Sequence, residues 1–451
     1  MSFLRLGRDA RFTNKQIILF LLPVIFEQLT VAVLGIADTS MVSSLGDTAL
    51  SGVALVSRID NFAKQFFVAL AQGGSVVMTQ YIGAKNQKNA QTALKDNIRI
   101  VVGVGIFLAL FMCIFKDNII SLLFGGADKS VLEASSSYFT VTALSYPLVA
   151  LYYAGTASFR AMGQSKIPFI SMTLMMSIKL ILTYVFIFVF RFGVTGAALS
   201  TLLAMGIMGT VQLLMLTRRS NKVQLQRLFH FDFNKSIGKK ILTISIPNGI
   251  ESAMFQLGAL LIAGLVSGLG TAAISADHVA RSVTPFVHCT GSAFAAVFLM
   301  VSGHCMGADS PKEVRFYTKH LLKLDYIMTL AVSVLFIIFM RPILSIFSIS
   351  AEAREYTTQI MLLYTICSCL FYPTSFAVAS SLRGTGDTKF VMMVSTASMF
   401  LFRIGAAYVF VHLFKLGILG TWLAMVSDWV IRSIIFIARF AKGKWQKNRV
   451  I

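Results

Sequence analysis

The sequence predicts an all-α polytopic membrane protein of twelve transmembrane helices, arranged as two pseudo-symmetric six-helix bundles. Three observations predict it. Hydrophobic residues make up 56% of the chain and charged residues 13%, and the hydrophobic ones fall in long runs instead of at amphipathic spacing. About twelve runs reach the roughly 20 apolar residues that a helix needs to cross a ~30 Å hydrocarbon core. Lys and Arg gather in alternate loops, and the sequence matches itself at a shift of 224 positions. Membrane β-barrels are disfavoured, because their strands alternate apolar and polar residues and these runs do not.

The spans run near 17–43, 51–81, 98–124, 132–159, 167–190, 194–217, 241–268, 275–306, 324–347, 356–382, 389–413 and 417–438. The first follows a basic start, as a signal peptide would, but its apolar run is too long and is followed by many more, so it reads as an uncleaved helix. The start of the chain, the segments 85–99, 160–166, 218–240, 312–323 and 383–389, and the tail together hold 28 Lys and Arg; the alternate loops hold six. This bias puts both termini and the even-numbered loops in the cytoplasm of a bacterial-type inner membrane. The net charge of +21 is therefore a membrane-surface feature and no sign of nucleic-acid binding, since even the basic run from Arg218 to Lys240 lies between two spans. Five cysteines, Cys113, Cys289, Cys305, Cys367 and Cys369, lie in apolar segments without CxxC spacing, which supports neither a disulfide framework nor a zinc site.

At the 224-residue shift Pro23 falls on Pro247, Glu27 on Glu251, Leu45-Gly46 on Leu269-Gly270, Gly83-Ala84 on Gly307-Ala308, and Gly193 and Gly196 on Gly417 and Gly420. One residue out of register, 159–166 matches 382–389. Each half holds six helices, an even number, so the halves enter the bilayer with the same orientation. Parallel repeats of this kind place a substrate between the halves near the midplane and rock one bundle against the other. The expected organisation is an N-lobe over 1–217, a basic connector over 218–240 and a C-lobe over 241–451.

The ionisable residues of the spans are the acids Glu27, Asp38, Asp60, Glu251, Asp277 and Asp428 and the bases Arg58, Lys64, Lys179, Arg281, Arg403 and Arg432. Each costs about 2.5–3.5 kcal/mol at the centre of a helix, so they must face protein or water. Asp60 with Lys64, Asp277 with Arg281, and Asp428 with Arg432 are spaced i,i+4 and can neutralise one another on one helix face. Asn61 and Gln65 extend a polar face on the second helix. Glu27 and Glu251 have no base on their own helices and stand near mid-membrane, which makes them the stronger candidates for unpaired carboxylates open to a cavity. Asp38 lies three turns beyond Glu27 on the same face. Lys179 and Arg403 are repeat partners able to neutralise these acids across helices. His278, His288 and His304 could relay protons, but no HExxH spacing supports a metal.

Leu22-Pro23 with Glu27, Ala37-Asp38-Thr39-Ser40-Met41-Val42 leading to Leu45-Gly46, Pro247-Asn248-Gly249-Ile250-Glu251 with Phe255-Gln256-Leu257-Gly258, Gly83-Ala84-Lys85 and Leu382-Arg383-Gly384-Thr385-Gly386-Asp387 resemble the multidrug and toxic compound extrusion (MATE) family, over nearly the whole chain. The resemblance implies two six-helix lobes around a cavity and exchange of Na⁺ or H⁺ for small amphipathic organic compounds. It also implies a first-helix acid central to coupling, here Asp38, where Na⁺ would bind transiently. In one branch of the family a seventh-helix acid also serves, and Glu251 is its counterpart, displaced by a turn toward the proline. The bases Lys64, Lys179 and Arg403 depart from the family pattern and open the substrate range to zwitterions and anions. The expected partners are organic substrates and the bilayer, with the protein a monomer that carries no cofactor and no resident metal and is not an enzyme. A lipid or polyprenyl-linked oligosaccharide flippase is the alternative, favoured by fourteen helices or a strongly cationic cavity. A membrane-embedded transferase would need clustered acids at the membrane surface, and the loops show none.

Overall fold

The computed structural model describes residues 11–124, 129–226, 233–347 and 349–451. The apolar runs fold into twelve long helices: α1 (Asn14–Ser43), α2 (Asp47–Gly83), α3 (Gln87–Ile114), α4 (Lys129–Ala161), α5 (Lys166–Val189), α6 (Gly193–Leu216), α7 (Lys235–Ser267), α8 (Thr271–Gly307), α9 (Pro311–Ser345), α10 (Ala351–Thr385), α11 (Thr388–Leu413) and α12 (Gly417–Ala441). A short helix, Lys116–Phe124, follows α3. Among the described residues, ten of these helices are both long and apolar enough to cross a membrane. The other two, α2 and α4, are long enough at 37 and 33 residues but more polar. Burial answers part of that polarity: Ser135, Thr142, Ser145 and Ser158 of α4 are buried and donate to carbonyls of their own helix, which satisfies these hydroxyls away from lipid. Outward faces are the reverse, as on α3, where Phe107, Leu110 and Ile114 are exposed one turn apart, a surface suited to lipid and not to water.

The internal repeat is structural as well as textual. Left-handed backbone recurs at the same shift: Gly46 and Gly270 (φ 93° and 97°), Lys85 and Asp309 (56° and 57°), Arg191 and Lys415 (55° and 53°). Gly46 and Gly270 immediately precede α2 and α8, and that φ region is accessible to glycine at no steric cost. A π-helical turn ends α5 at Val185–Val189 and α11 at Val409–Leu413. The two six-helix bundles are thus pseudo-symmetric copies.

The chain forms two compact units. One is Leu29–Gly249; the other joins Ile250–Ile451 to Met1–Gln28, of which residues 11–28 are described. The N-terminal half of α1 and that of α7 therefore each belong with the other repeat. In the first unit α7 lies directly on α2: Ser245 Oγ donates to the Leu70 carbonyl at 2.9 Å, and a Cβ on Gly73 would overlap Ser245. In the second, Ile17, Phe20, Leu21 and Val24 of α1 join the core formed by Phe294, Val297 and Phe298 of α8 with Tyr317 and Leu321 of α9. Both chain ends close this unit. The Phe12 amide donates to Tyr317 Oη at 2.8 Å. Trp445 is fully buried against Phe440, and Arg449 donates to the Gly307 carbonyl at 3.2 Å.

The Gly73 contact yields a direct expectation. Gly73→Leu should lower the thermal midpoint of the detergent-purified protein by an amount equivalent to about 1–3 kcal/mol of overpacking, whereas Gly103→Leu, where a Cβ meets nothing within 4 Å, should leave it unchanged. Equal midpoints for the two variants would show that α7 does not pack on α2 as described.

Candidate functional site

A buried charge is tolerated only with a partner, and in the 29–249 unit the partners come both from a neighbouring helix and from the same helix. Asp38 on α1 receives Lys179 Nζ of α5 at 2.6 Å, with the two side chains 21% and 17% exposed. Its Oδ1 is buried without a hydrogen-bond partner. On α2, Lys64 pairs with Asp60 at 2.5 Å, one turn apart as the spacing predicts. Tyr138 and Tyr153 of α4 interact electrostatically with Lys64. Asn61 and Gln65 face outward on the same helix. Each of these two pairs leaves one carboxylate oxygen, Asp38 Oδ1 and Asp60 Oδ1, without a donor among the described residues.

The 250–451 unit carries its own set. Glu251, just past Pro247 on α7, accepts from Arg383 Nη2 at 2.6 Å. This corrects the expectation of an unpaired carboxylate. Arg383, assigned by sequence to a basic loop, lies inside α10, so its charge reaches a helix instead of the membrane surface. Asp38 is held by Lys179, the cross-helix neutralisation that the sequence allowed. Asp277 pairs with Arg281 at 2.6 Å and also accepts from Trp422 Nε1 at 3.1 Å. The expected Asp428–Arg432 pair is looser. Arg432 Nη1 and Asp428 Oδ2 lie 3.8 Å apart, beyond hydrogen-bond range, while Asp428 Oδ1 accepts at 2.5 Å from Ser398 on α11. Arg403 interacts electrostatically with Asp428, Arg281 and Arg432. Glu27 is 3% exposed and belongs to this unit with Glu251, whereas Asp38, on the same helix as Glu27, belongs to the other.

Of the histidines, His288 bonds Tyr364 Oη at 2.8 Å and stacks on Tyr372, His304 bonds the Met300 carbonyl, and His278 is exposed. Sequence reasoning missed Asp325. It stands at the edge of a span beside a basic segment, yet it is fully buried in α9 and accepts from Thr329 at 3.2 Å. The signal was available: Asp325 and Thr329 are spaced i,i+4 on an apolar helix.

The sequence profile of the MatE family matches residues 23–185 and again 247–409, the second stretch beginning and ending 224 residues after the first. The chain belongs to the MatE family. Among MATE relatives, the probable multidrug resistance protein NorM of Thermotoga maritima is 23% identical over 445 residues, covering 97% of this chain and 94% of that protein. The fold is that of solved MATE transporters. A multidrug resistance MATE transporter in an outward-facing conformation superposes with a TM-score of 0.88 at 20% identity, over 98% of both chains. A MOP-superfamily transporter from Pyrococcus furiosus, described as having a binding pocket of reverse polarity, superposes at 0.87 and 20% identity over 95% of each chain. The protein is thus a multi-pass membrane transporter in a family of multidrug exporters, whose members couple transport to Na⁺ or H⁺.

The Asp38–Lys179 pair has a measurable signature. Each single variant, Asp38→Asn or Lys179→Met, strands the other charge, so the double variant should be more stable than the sum of the two losses, by at least ~1 kcal/mol. Thermal midpoints of the four proteins test this, and simple additivity would mean that the pair contributes nothing.

Proposed function

We propose that the protein is a secondary active exporter that exchanges Na⁺ or H⁺ for small amphipathic organic compounds, alternating its access between the two sides of the membrane. The carrying observation is the Asp38–Lys179 pair: a part-buried intramembrane carboxylate with one oxygen held by a lysine and the other taken by no donor. An oxygen without a donor is free to accept a coupling cation. In this reading Asp38 binds the coupling cation, and Lys179 answers its arrival or departure. Glu251 with Arg383, and Glu27, are the corresponding groups of the second lobe. Asn61, Gln65 and the Asp60–Lys64 pair are the cavity-lining candidates of the first unit, and Asp277, Arg281, Arg403 and Asp428 those of the second.

The two repeats support a rocking mechanism, because parallel bundles of one fold can exchange roles on the two faces of the membrane. The bias of Lys and Arg toward alternate loops supports a cytoplasmic side for both termini and the 218–240 connector, in an inner membrane. The driving force is adequate: one charge moving inward through 100 mV supplies about 2.3 kcal/mol, against ~1.4 kcal/mol for each tenfold step of concentration of a neutral substrate.

Inverted vesicles with Na⁺ and pH gradients imposed separately test the proposal. Asp38→Asn should express normally and lose gradient-driven efflux of organic substrates, with at least a tenfold fall in initial rate. Undiminished efflux by this variant removes Asp38 from coupling.

A further inference from the structure

The charges of the 250–451 unit do not balance locally, and the imbalance has a shape. Glu251 is committed to Arg383, and Asp277 to Arg281 and Trp422. Neither Arg403 nor Arg432 has a hydrogen-bonded acid of its own: Asp428 accepts from Ser398, stands 3.8 Å from Arg432 and acts on both arginines electrostatically, as Glu251 does on Arg432. Arg432 is 1% exposed, and neither its Nε nor its Nη1 finds a hydrogen-bond partner. A buried guanidinium with free N–H groups is costly, because it has given up water without a full replacement. Asp325, the remaining acid of α9, is turned to Thr329 and Tyr372.

The surroundings are aromatic. Arg432 lies over the rings of Phe376 (4.7 Å), Phe255 (5.3 Å) and Phe436 (5.8 Å), and Arg281 lies over Trp422 at 5.6 Å. Aromatic faces hold a cation weakly compared with a carboxylate, so the rings leave the arginines available to an anion. Phe255 and Arg403 are partly exposed, and Arg281 more so. Arg403 sits in the π-helical turn Met399–Gly405, a helix irregularity frequent at functional sites.

We infer that this cluster is a binding site for a planar aromatic anion, its carboxylate bound by Arg403 and Arg432 and its ring placed among Phe255, Phe376 and neighbouring aromatic side chains. Guanidinium forks match a carboxylate in two parallel hydrogen bonds, and a flat ring is the ligand body that such walls hold best. The inference deepens the exporter reading, on which it rests only for the direction of transport: the substrates of this chain include aromatic acids as well as cations.

Binding to the purified protein is the test, with 2-naphthoate as probe and 2-naphthylmethylammonium as its charge-reversed counterpart. Two of the three tryptophans, Trp422 and Trp429, lie in or beside the cluster, so quenching of intrinsic fluorescence reports occupancy. Naphthoate should bind saturably and at least tenfold more tightly than the amine. Arg403→Met should weaken naphthoate at least tenfold, Arg403→Lys should restore part of the loss, and Arg341→Met, an exposed arginine of α9, should change nothing. Because Arg403 is only partly buried, its variants avoid the folding risk of replacing Arg432. Tighter binding of the amine, or naphthoate affinity unaltered in Arg403→Met, overturns the inference. Naphthoate binding with the stated preference, but no gradient-driven efflux of any substrate from vesicles, upholds the site and sinks the exporter reading. Efflux of a cationic dye without naphthoate binding does the opposite.

Discussion

Charge inside a low-dielectric slab has to be neutralised within reach of a side chain, and most of what distinguishes this chain follows from that constraint. The paired acids reach across helices wherever their own helix offers no base. Asp38 ties α1 to α5, and Glu251 ties α7 to α10. A pair of this kind adds modest net stability, because desolvation offsets much of its Coulomb energy. It fixes instead which faces of which helices meet, since any other register would strand a charge in lipid at a cost of several kcal/mol.

The same constraint explains how two copies of one fold carry different chemistry. Lys179 and Arg403 occupy equivalent positions in the repeats. In the first unit the lysine's flexible stem delivers a point charge to a single carboxylate oxygen. In the second the arginine stands near two further guanidiniums and shares its nearest acid. A broad guanidinium is hydrated less strongly than an ammonium and tolerates aromatic neighbours better, which suits it to a wall that includes Tyr364 and Trp422. The scaffold is symmetric to within a few degrees at four paired turn positions, Gly46/Gly270, Lys85/Asp309, Arg191/Lys415 and Gly193/Gly417, and its chemistry divides at the side chains.

Helix number, repeat length and the composition of the ion-bearing spans were legible because each depends on local sequence: a run of apolar residues, a glycine at a turn, an acid one helical turn from a base. The Asp60–Lys64 and Asp277–Arg281 pairs could be read directly for that reason. The Glu251–Arg383 pair could not. It joins residues 132 positions apart, and Arg383 lies beside basic and glycine-rich residues that read as a loop. Asp428 shows the opposite failure. Its i,i+4 base was legible, yet a hydroxyl from another helix, Ser398, competes for the carboxylate, and spacing along one helix carries no information about such a competitor. Asp325 was lost to a boundary, because a span is drawn by hydropathy and a buried acid lowers hydropathy where it is placed.

Residues 11–28 pack with α8 and α9, although some 250 residues of chain separate them. During synthesis the 29–249 unit can therefore assemble while the first half of α1 still lacks its permanent neighbours. Ile17, Phe20, Leu21 and Val24, all buried at completion, must spend that interval against lipid or transient contacts, and Glu27 must wait among them. α1 thus settles only after α8 and α9 have entered the bilayer, and a slow or interrupted arrival of α8 leaves an acidic, proline-containing helix exposed to whatever insertion or quality-control machinery surveys the nascent chain.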